Sequence, residues 1–189
     1  FVLALGRRSN MPALRSVCVI FIEFIRGVPL ITLLFVASTM LTYFLPPGST
    51  FDLLMRVLIM VTLFSSAYIA EVVRGGLQGL STGQYEAADS LGLNYWKAHR
   101  LIILPQAFPV ALPGMGNYLV GIFKDTPMLA TIGVVELMQS ANTVGSLTYR
   151  FLEPYTMVGI IFLIISLPTA FGLRKLETVV AKRQGISKK

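Results

Sequence analysis

The stretch "LLMRVLIMVTLFSSAYIAEVV", residues 53–73, decides the fold class. Wound as an α-helix at 1.5 Å per residue it is about 30 Å long, the thickness of a bilayer's hydrocarbon core. Other apolar runs of roughly 20 residues flank it, and none shows the period-two alternation of a membrane β-barrel strand. The whole chain agrees: 54% of its 189 residues are hydrophobic, 13% are charged, and the mean hydropathy is +0.72. These values lie well to the apolar side of a soluble domain. The class is an all-α membrane protein.

Working outward, the basic residues fall between and after the apolar runs, so the net charge of +7 reads as a topology signal and not as a nucleic-acid footprint. Towards the N-terminus, "GRRSNMPALR" carries Arg7, Arg8 and Arg15 and is expected on the cytoplasmic side. The residues before it read as the end of a helix whose first part precedes residue 1. An apolar helix from about Leu14 to Phe44 is interrupted at "RGVP", where Pro29 lacks a backbone donor, so a kink is expected near Arg26. "LPPGST", residues 45–50, reads as a short external turn. Residues 53–73 then return to the cytoplasm.

Beyond residue 100 the prolines and glycines divide the chain into helical pieces, expected near 107–123 and 128–140 and joined by "KDTPM". The last apolar run, Pro154 to Gly172, ends in Arg174, Lys175, Lys182, Arg183, Lys188 and Lys189, which places the C-terminus in the cytoplasm. Parity then requires an odd number of crossings between 101 and 152, most simply one broken helix. About five spans result, the first truncated and one broken. No repeat of 20 to 50 residues is visible, so residues 1–189 read as one transmembrane domain with a cytoplasmic loop at 76–100. Cys18, the single cysteine, excludes a disulfide framework and reads as buried apolar filler.

That loop holds the most polar long interval of the chain, "EAADSLGLNYWKAHRLIILP", residues 86–105. Ser81, Thr82 and Gly83 can start and cap a short helix. Glu86 and Asp89 then present charge at i, i+3 spacing, Ala87 and Ala88 permit close approach, and Gly92 can end the helix in left-handed geometry. Such a helix suits docking against a partner, and Lys97 to Arg100 form a basic stem behind it.

Glu86, Ala87, Ala88, Gly92, Ile102, Leu104 and Pro105 match the pattern EAA, three residues, Gly, nine residues, Ile, one residue, Leu-Pro. In this the chain resembles the permease subunits of binding-protein-dependent ABC importers, of the type I permease fold. "FIRGVPL" (24–30), "AYIAEVVRGGLQGLSTGQYEAA" (67–88), "LPQAFPVALPGMGNYL" (104–119) and "KDTPMLATIGVVEL" (124–137) are similar to the polar amino-acid branch. Pro127 stands where that branch typically has Ser.

The resemblance implies that Glu86, Ala87, Ala88, Asp89 and Gly92 form the coupling helix that sits in a cleft of an ATP-hydrolysing subunit. It also implies a second permease subunit, identical or homologous, two ATP-binding cassette subunits with ATP and Mg, a substrate-binding protein, and residence in a bacterial inner membrane. The resemblance implies as well that this chain itself binds no cofactor or metal and hydrolyses no ATP, with which the lack of a GxxxxGK[ST] phosphate loop agrees.

Ionisable groups inside the spans are costly and usually face a cavity or a partner. Glu23 and Arg26, one turn apart near mid-bilayer, read either as a structural clamp or as lining of the permeation path. Glu71 can pair with Arg74 at i+3 or meet substrate. A zwitterionic amino acid needs acceptors, such as Asp125, Glu136 or Tyr68, and donors, such as Arg26 or Thr126. The same residues could instead only tie helix ends together. In an ion-coupled carrier or channel, the alternative reading, Glu23, Glu71 or Glu136 would relay protons or bind cations. His99, among basic neighbours at the cytoplasmic face, is expected to have no metal or acid–base role.

Overall fold

The computed structural model describes residues 1–44 and 51–183, so the expected external turn at 45–50 and the basic residues Lys188 and Lys189 lie outside the described residues. Among the described residues the secondary structure is helical throughout, without strands. In chain order it runs α1 (Val2–Arg7), α2 (Pro12–Gly27), α3 (Leu30–Ser38), a 3-10 turn (Met40–Phe44), α4 (Leu53–Gln78), α5 (Thr82–Ser90), α6 (Tyr95–Ala98), a π-helical turn (His99–Ile103), α7 (Leu104–Asp125), a second 3-10 segment (Thr126–Ile132), α8 (Leu137–Thr148) and α9 (Leu152–Arg183).

Two helices, α4 with 26 residues and α9 with 32, are each long and apolar enough to cross a bilayer. Two bent pairs raise the number of candidate spans to four: α2 with α3, bent by 97°, and Tyr95–Ile132 with α8, bent by 47°. The first bend is much sharper than a kink. Pro29 cannot donate and takes φ −59°, ψ 140°, and the residue before a proline is itself driven to extended backbone, so the helix stops at Gly27 and restarts at Leu30. The carbonyl of Pro29 then accepts from both Thr32 and Leu33, which closes the first turn of α3.

The second break differs from the expected pieces at 107–123 and 128–140. Pro109 and Pro113 lie inside α7 without ending it. With Pro105 they recur every four residues, so the lost bonds fall along one stripe of the helix while the other faces keep theirs. α7 ends at Asp125. Pro127 lies in the first turn of the 3-10 segment, Gly133 at φ +83° turns the chain, and α8, capped by Glu136, starts at Leu137, nine residues later than the sequence pattern places its second piece.

The described residues pack as two compact units. One comprises Phe1–Ile22, Ala67–Tyr118 and the described part of Phe171–Lys189; the other comprises Glu23–Ser66 and Leu119–Ala170. In the first, the core is Ala4, Ile22, Ala70, Val73, Leu77, Ile103 and Ala107. Small residues bring α4 and α7 into close contact here. A Cβ on Gly76 would meet the Ala107 carbonyl oxygen at 2.8 Å and the Ala111 Cβ at 2.9 Å, and one on Gly114 would meet Val72 Cγ1 at 2.8 Å. In the second unit, Leu30, Leu33, Leu34, Ala37, Val57 and Phe64 are buried. Arg56 donates to the carbonyls of Ala37 at 3.3 Å and Ser38 at 2.7 Å, occupying the orphan acceptors at the end of α3.

Gly76→Val is expected to destabilise the purified protein by about 1–3 kcal/mol, the cost of overpacking a contact that cannot give way. Gly75→Ala, one residue earlier and facing open space, is expected to leave the thermal midpoint unchanged or slightly raised. Thermal unfolding of both variants in the same detergent checks this; equal midpoints would remove the close contact from the account.

Candidate coupling surface

α4 carries past the bilayer-length run to Gln78, and three residues later α5 begins with Ser81 at its N-cap. Ser81 has the extended backbone of a cap (φ −65°, ψ 145°), but its side chain makes no capping hydrogen bond, which corrects that part of the expectation; its carbonyl accepts from Gln84 instead. The far end is a full Schellman closure. Gly92 stands at φ +67°, its N–H bonds the Asp89 carbonyl at 2.9 Å, and the Leu93 N–H reaches the Ala88 carbonyl at 3.2 Å. Both carbonyls at the end of α5 are thereby satisfied without a partner protein.

The faces of α5 divide cleanly. Glu86, Ala87, Asp89 and Ser90 are exposed, whereas Ala88 is 1% exposed and packs into its own unit. Ala87, Glu86 and Asp89 are therefore the part of the motif available to a partner, and Ala88 is the part that lets the helix sit low. Beside Ala88 on the inner face, Tyr85 anchors the helix. Its hydroxyl accepts from Arg8 Nη1 at 3.2 Å and donates to the Leu77 carbonyl at 3.5 Å, and the Arg8 guanidinium lies 5.7 Å from the ring centroid.

His99 completes the mounting. It is 6% exposed, edge-on to Tyr85 at 6.1 Å and 4.0 Å from the Tyr95 ring, with Nδ1 2.9 Å from the Tyr95 carbonyl. A carbonyl only accepts, so this bond requires the proton on Nδ1. On the other side, Gln106 bridges from α7 to Gln84 at 2.8 Å and to the Ile102 carbonyl at 3.0 Å. The basic stem is the short helix α6, capped by Asn94, whose side chain accepts from the Lys97 N–H at 2.9 Å. It passes directly into α7 through the π-helical turn His99–Ile103. The wide turn ends where Pro105, without an N–H, cannot serve the Leu101 carbonyl in the ordinary α pattern.

Glu71 is held twice. Arg74 approaches it bidentately, Nε at 2.9 and 3.1 Å and Nη2 at 2.7 Å, and Arg7 Nη1 lies 2.9 Å from the other carboxylate oxygen. The i+3 pairing foreseen for Glu71 is present, and Arg7 of α1 is the partner that sequence spacing did not supply. In the same unit Tyr68 stacks on Tyr118 at 5.4 Å and 17°. The remaining candidates for the substrate path lie in the other unit. Arg26 is exposed in the last turn of α2 and Asp125 ends α7. The Thr126 hydroxyl donates to the Phe123 carbonyl at 2.8 Å, and Glu136 caps α8 by accepting from the Gln139 N–H at 2.7 Å. Both of these side chains serve helix ends. Among the described residues no group of three His, Cys, Asp or Glu side chains is placed to hold a metal ion.

Sequence reasoning missed Arg8, Tyr85, His99 and Gln106 as the supports of α5. Two signals were available: Tyr85 lies three residues before the buried Ala88 on one helical face, and Tyr95 and His99 are spaced i, i+4.

A family model described as "Binding-protein-dependent transport system inner membrane component" matches residues 1–181. The chain is similar to the glutamate/glutamine/aspartate/asparagine transport system permease protein BztC of Rhodobacter capsulatus, 52% identical over 87% of this chain and 39% of that protein. It is similar to the inner membrane amino-acid ABC transporter permease protein YhdY of Escherichia coli, 57% identical over 75% of this chain and 38% of that protein. The glutamine transport system permease protein GlnP of E. coli is 36% identical over 85% of this chain and 73% of its own length. The chain thus spans just under two fifths of the length of BztC and of YhdY. A crystal structure of an amino acid ABC transporter with histidines aligns with a TM-score of 0.82 at 33% identity, covering 93% of this chain and 81% of that one.

Removing the Tyr85 hydroxyl deletes the bonds to Arg8 and Leu77 while keeping the ring. Tyr85→Phe is therefore expected to speed amide exchange across residues 82–92 about fivefold, the worth of roughly 1 kcal/mol of net hydrogen bonding. Hydrogen exchange read by mass spectrometry checks it, with α8 as the internal reference; uniform acceleration in both segments would mean global loosening instead.

Proposed function

Because the chain belongs to the family of binding-protein-dependent transport system inner membrane components, we propose that it is the transmembrane permease subunit of an ATP-driven ABC importer for polar amino acids. The observation that carries this reading is the exposed face of α5, with Glu86, Ala87 and Asp89 outward on a helix closed at Gly92 and anchored by Tyr85 and His99. A surface that must transmit a push needs exposed contact residues on a rigid mount, and both features are present.

The remaining parts follow from this role. Two permease subunits form the path, two ATP-binding cassette subunits hydrolyse ATP with Mg outside this chain, and a substrate-binding protein delivers the amino acid. ATP and loaded binding protein each favour one state of an alternating-access equilibrium, and only such differential affinity can shift it. The membrane is the bacterial inner membrane, with α5 and the C-terminus on the cytoplasmic side, in keeping with the arginines around Arg7, Arg8 and Arg74. The relatives named for amino-acid transport, BztC among them, support the substrate class. Arg26, Tyr68 and Asp125 are the side chains we assign to the substrate path, with Thr126, whose hydroxyl is taken by the Phe123 carbonyl, fixing the turn beside Asp125. Glu71 and Glu136, engaged by arginines and by a helix end respectively, act there by fixing the walls.

The test is uptake of radiolabelled glutamate and glutamine into proteoliposomes holding the whole complex. Glu86→Lys reverses the charge of the docking face and is expected to cut ATP-driven uptake at least about tenfold, the equivalent of roughly 1.4 kcal/mol of lost coupling. Gly92→Val, which places a β-branched residue at φ +67°, costs about 1–2 kcal/mol of local strain and is expected to lower the ratio of substrate moved to ATP hydrolysed. Uptake that continues without ATP, or that ignores both substitutions, would sink the importer reading.

A further inference from the structure

A cavity of about 850 Å³ opens in the first unit between the Arg8–Asn10 turn, the first two turns of α2 and the end of α4. Among the described residues its lining includes Arg7, Arg8, Arg15 and Arg74 and no acidic side chain. Glu71 lies behind Arg7 and Arg74, and Arg8 and Arg15 extend the basic wall away from it. Pro12, Ser16 and Val19 form the rest of the α2 side. α2 begins here with no acidic residue in its first turn, so its positive dipole end adds to the same field. Such a wall selects anions, and planar guanidinium groups suit the tetrahedral oxygens of phosphate.

The surroundings select the form in which phosphate arrives. Arg74 follows directly on the bilayer-length run of α4, so the cavity stands at the level of the membrane–water interface whichever side it faces. The same helix α2 exposes Val17 and Ile20, each about two-thirds accessible. The Arg8–Ser9–Asn10 turn also lines a second, mainly apolar cavity of about 660 Å³ with Leu5, Met11, Leu14, Trp96 and Leu104. A basic recess beside apolar surface fits a phosphorylated headgroup with its acyl chains alongside.

We propose that the cavity lined by Arg7, Arg8, Arg15 and Arg74 is a phosphate site occupied by the headgroup of an anionic phospholipid. Arg8 also holds the Tyr85 hydroxyl, so the bound headgroup and the anchor of α5 share one side chain. The proposal needs only the chain's place in a membrane and does not depend on the amino-acid reading.

The test uses the intact complex in nanodiscs of phosphatidylcholine with a minority of phosphatidylglycerol, reading retained lipid by native mass spectrometry. Arg15 is exposed and lies outside the α5 mounting, so Arg15→Gln removes charge without disturbing the fold. Retention of phosphatidylglycerol is expected to fall about fivefold in that variant, the share of one arginine near an anionic surface, and to recover in Arg15→Lys. A second arm adds inorganic phosphate to nanodiscs of phosphatidylcholine alone. Arginine-dependent binding of phosphate there, with no preference for phosphatidylglycerol, would overturn the lipid as source. Unchanged phosphatidylglycerol retention in Arg15→Glu would overturn the site itself. So would loss of an ATP-hydrolysing subunit from the Arg15→Glu complex with lipid retention intact, since the basic wall would then be a protein contact.

Discussion

A docking helix transmits a push only if its base does not yield, and the base of α5 is the contact between α4 and α7 at Gly76. The loop carrying α5 leaves from the end of α4 and returns through α6 into α7. Its two roots are therefore as far apart as those helices allow. With hydrogen at Gly76, the Ala107 carbonyl and Ala111 come within the distance a methyl group would occupy. Everything mounted above inherits that spacing: Tyr85 under Arg8 and Leu77, His99 between two tyrosines, and Gln106 bonded to Gln84. A close-packed interior moves between discrete arrangements and does not deform smoothly, so in the importer role we propose a load on α5 would reach the spans instead of being absorbed in the loop.

Electrostatics imposes the second condition. A carboxylate at the depth of Glu71 must be answered, and it is answered from two directions, by Arg74 on its own helix and by Arg7 on α1. Arg74 can form such a pair within any amphipathic helix, but Arg7 fixes the end of α1 against α4. The neighbouring Arg8 then reaches Tyr85. Beside the topology signal that the positive-inside tendency reads in it, this short run of arginines pairs with Glu71 and anchors α5.

Much of this was legible in the sequence. Runs of bilayer length gave the class, Pro29 gave the break before α3, and the stretch from Ser81 to Gly92 gave a short helix closed by a left-handed glycine. The reason is that helix length, proline chemistry and positive φ are local properties. The bend of 97° and the start of α8 were not legible, because each depends on how several weak signals combine: Pro127, Gly133 and the capping carboxylate of Glu136 together shift the second piece towards the C-terminus. The inward face of Ala88 and the roles of Arg7, Tyr85 and His99 were hidden for another reason. They arise from contacts between residues as distant in sequence as Arg8 and Tyr85, which no periodicity reports.

In the proposed importer the outward face of α5 is the surface through which the chain is driven. The most direct measurement places a photoreactive side chain at Ala87, and in a parallel sample at the exposed Thr143 of α8, in the assembled complex. Illumination is expected to join position 87, and not position 143, to an ATP-hydrolysing subunit, with transport lost in proportion to adduct formed. Absence of that adduct from position 87 in a complex that still transports would contradict the account.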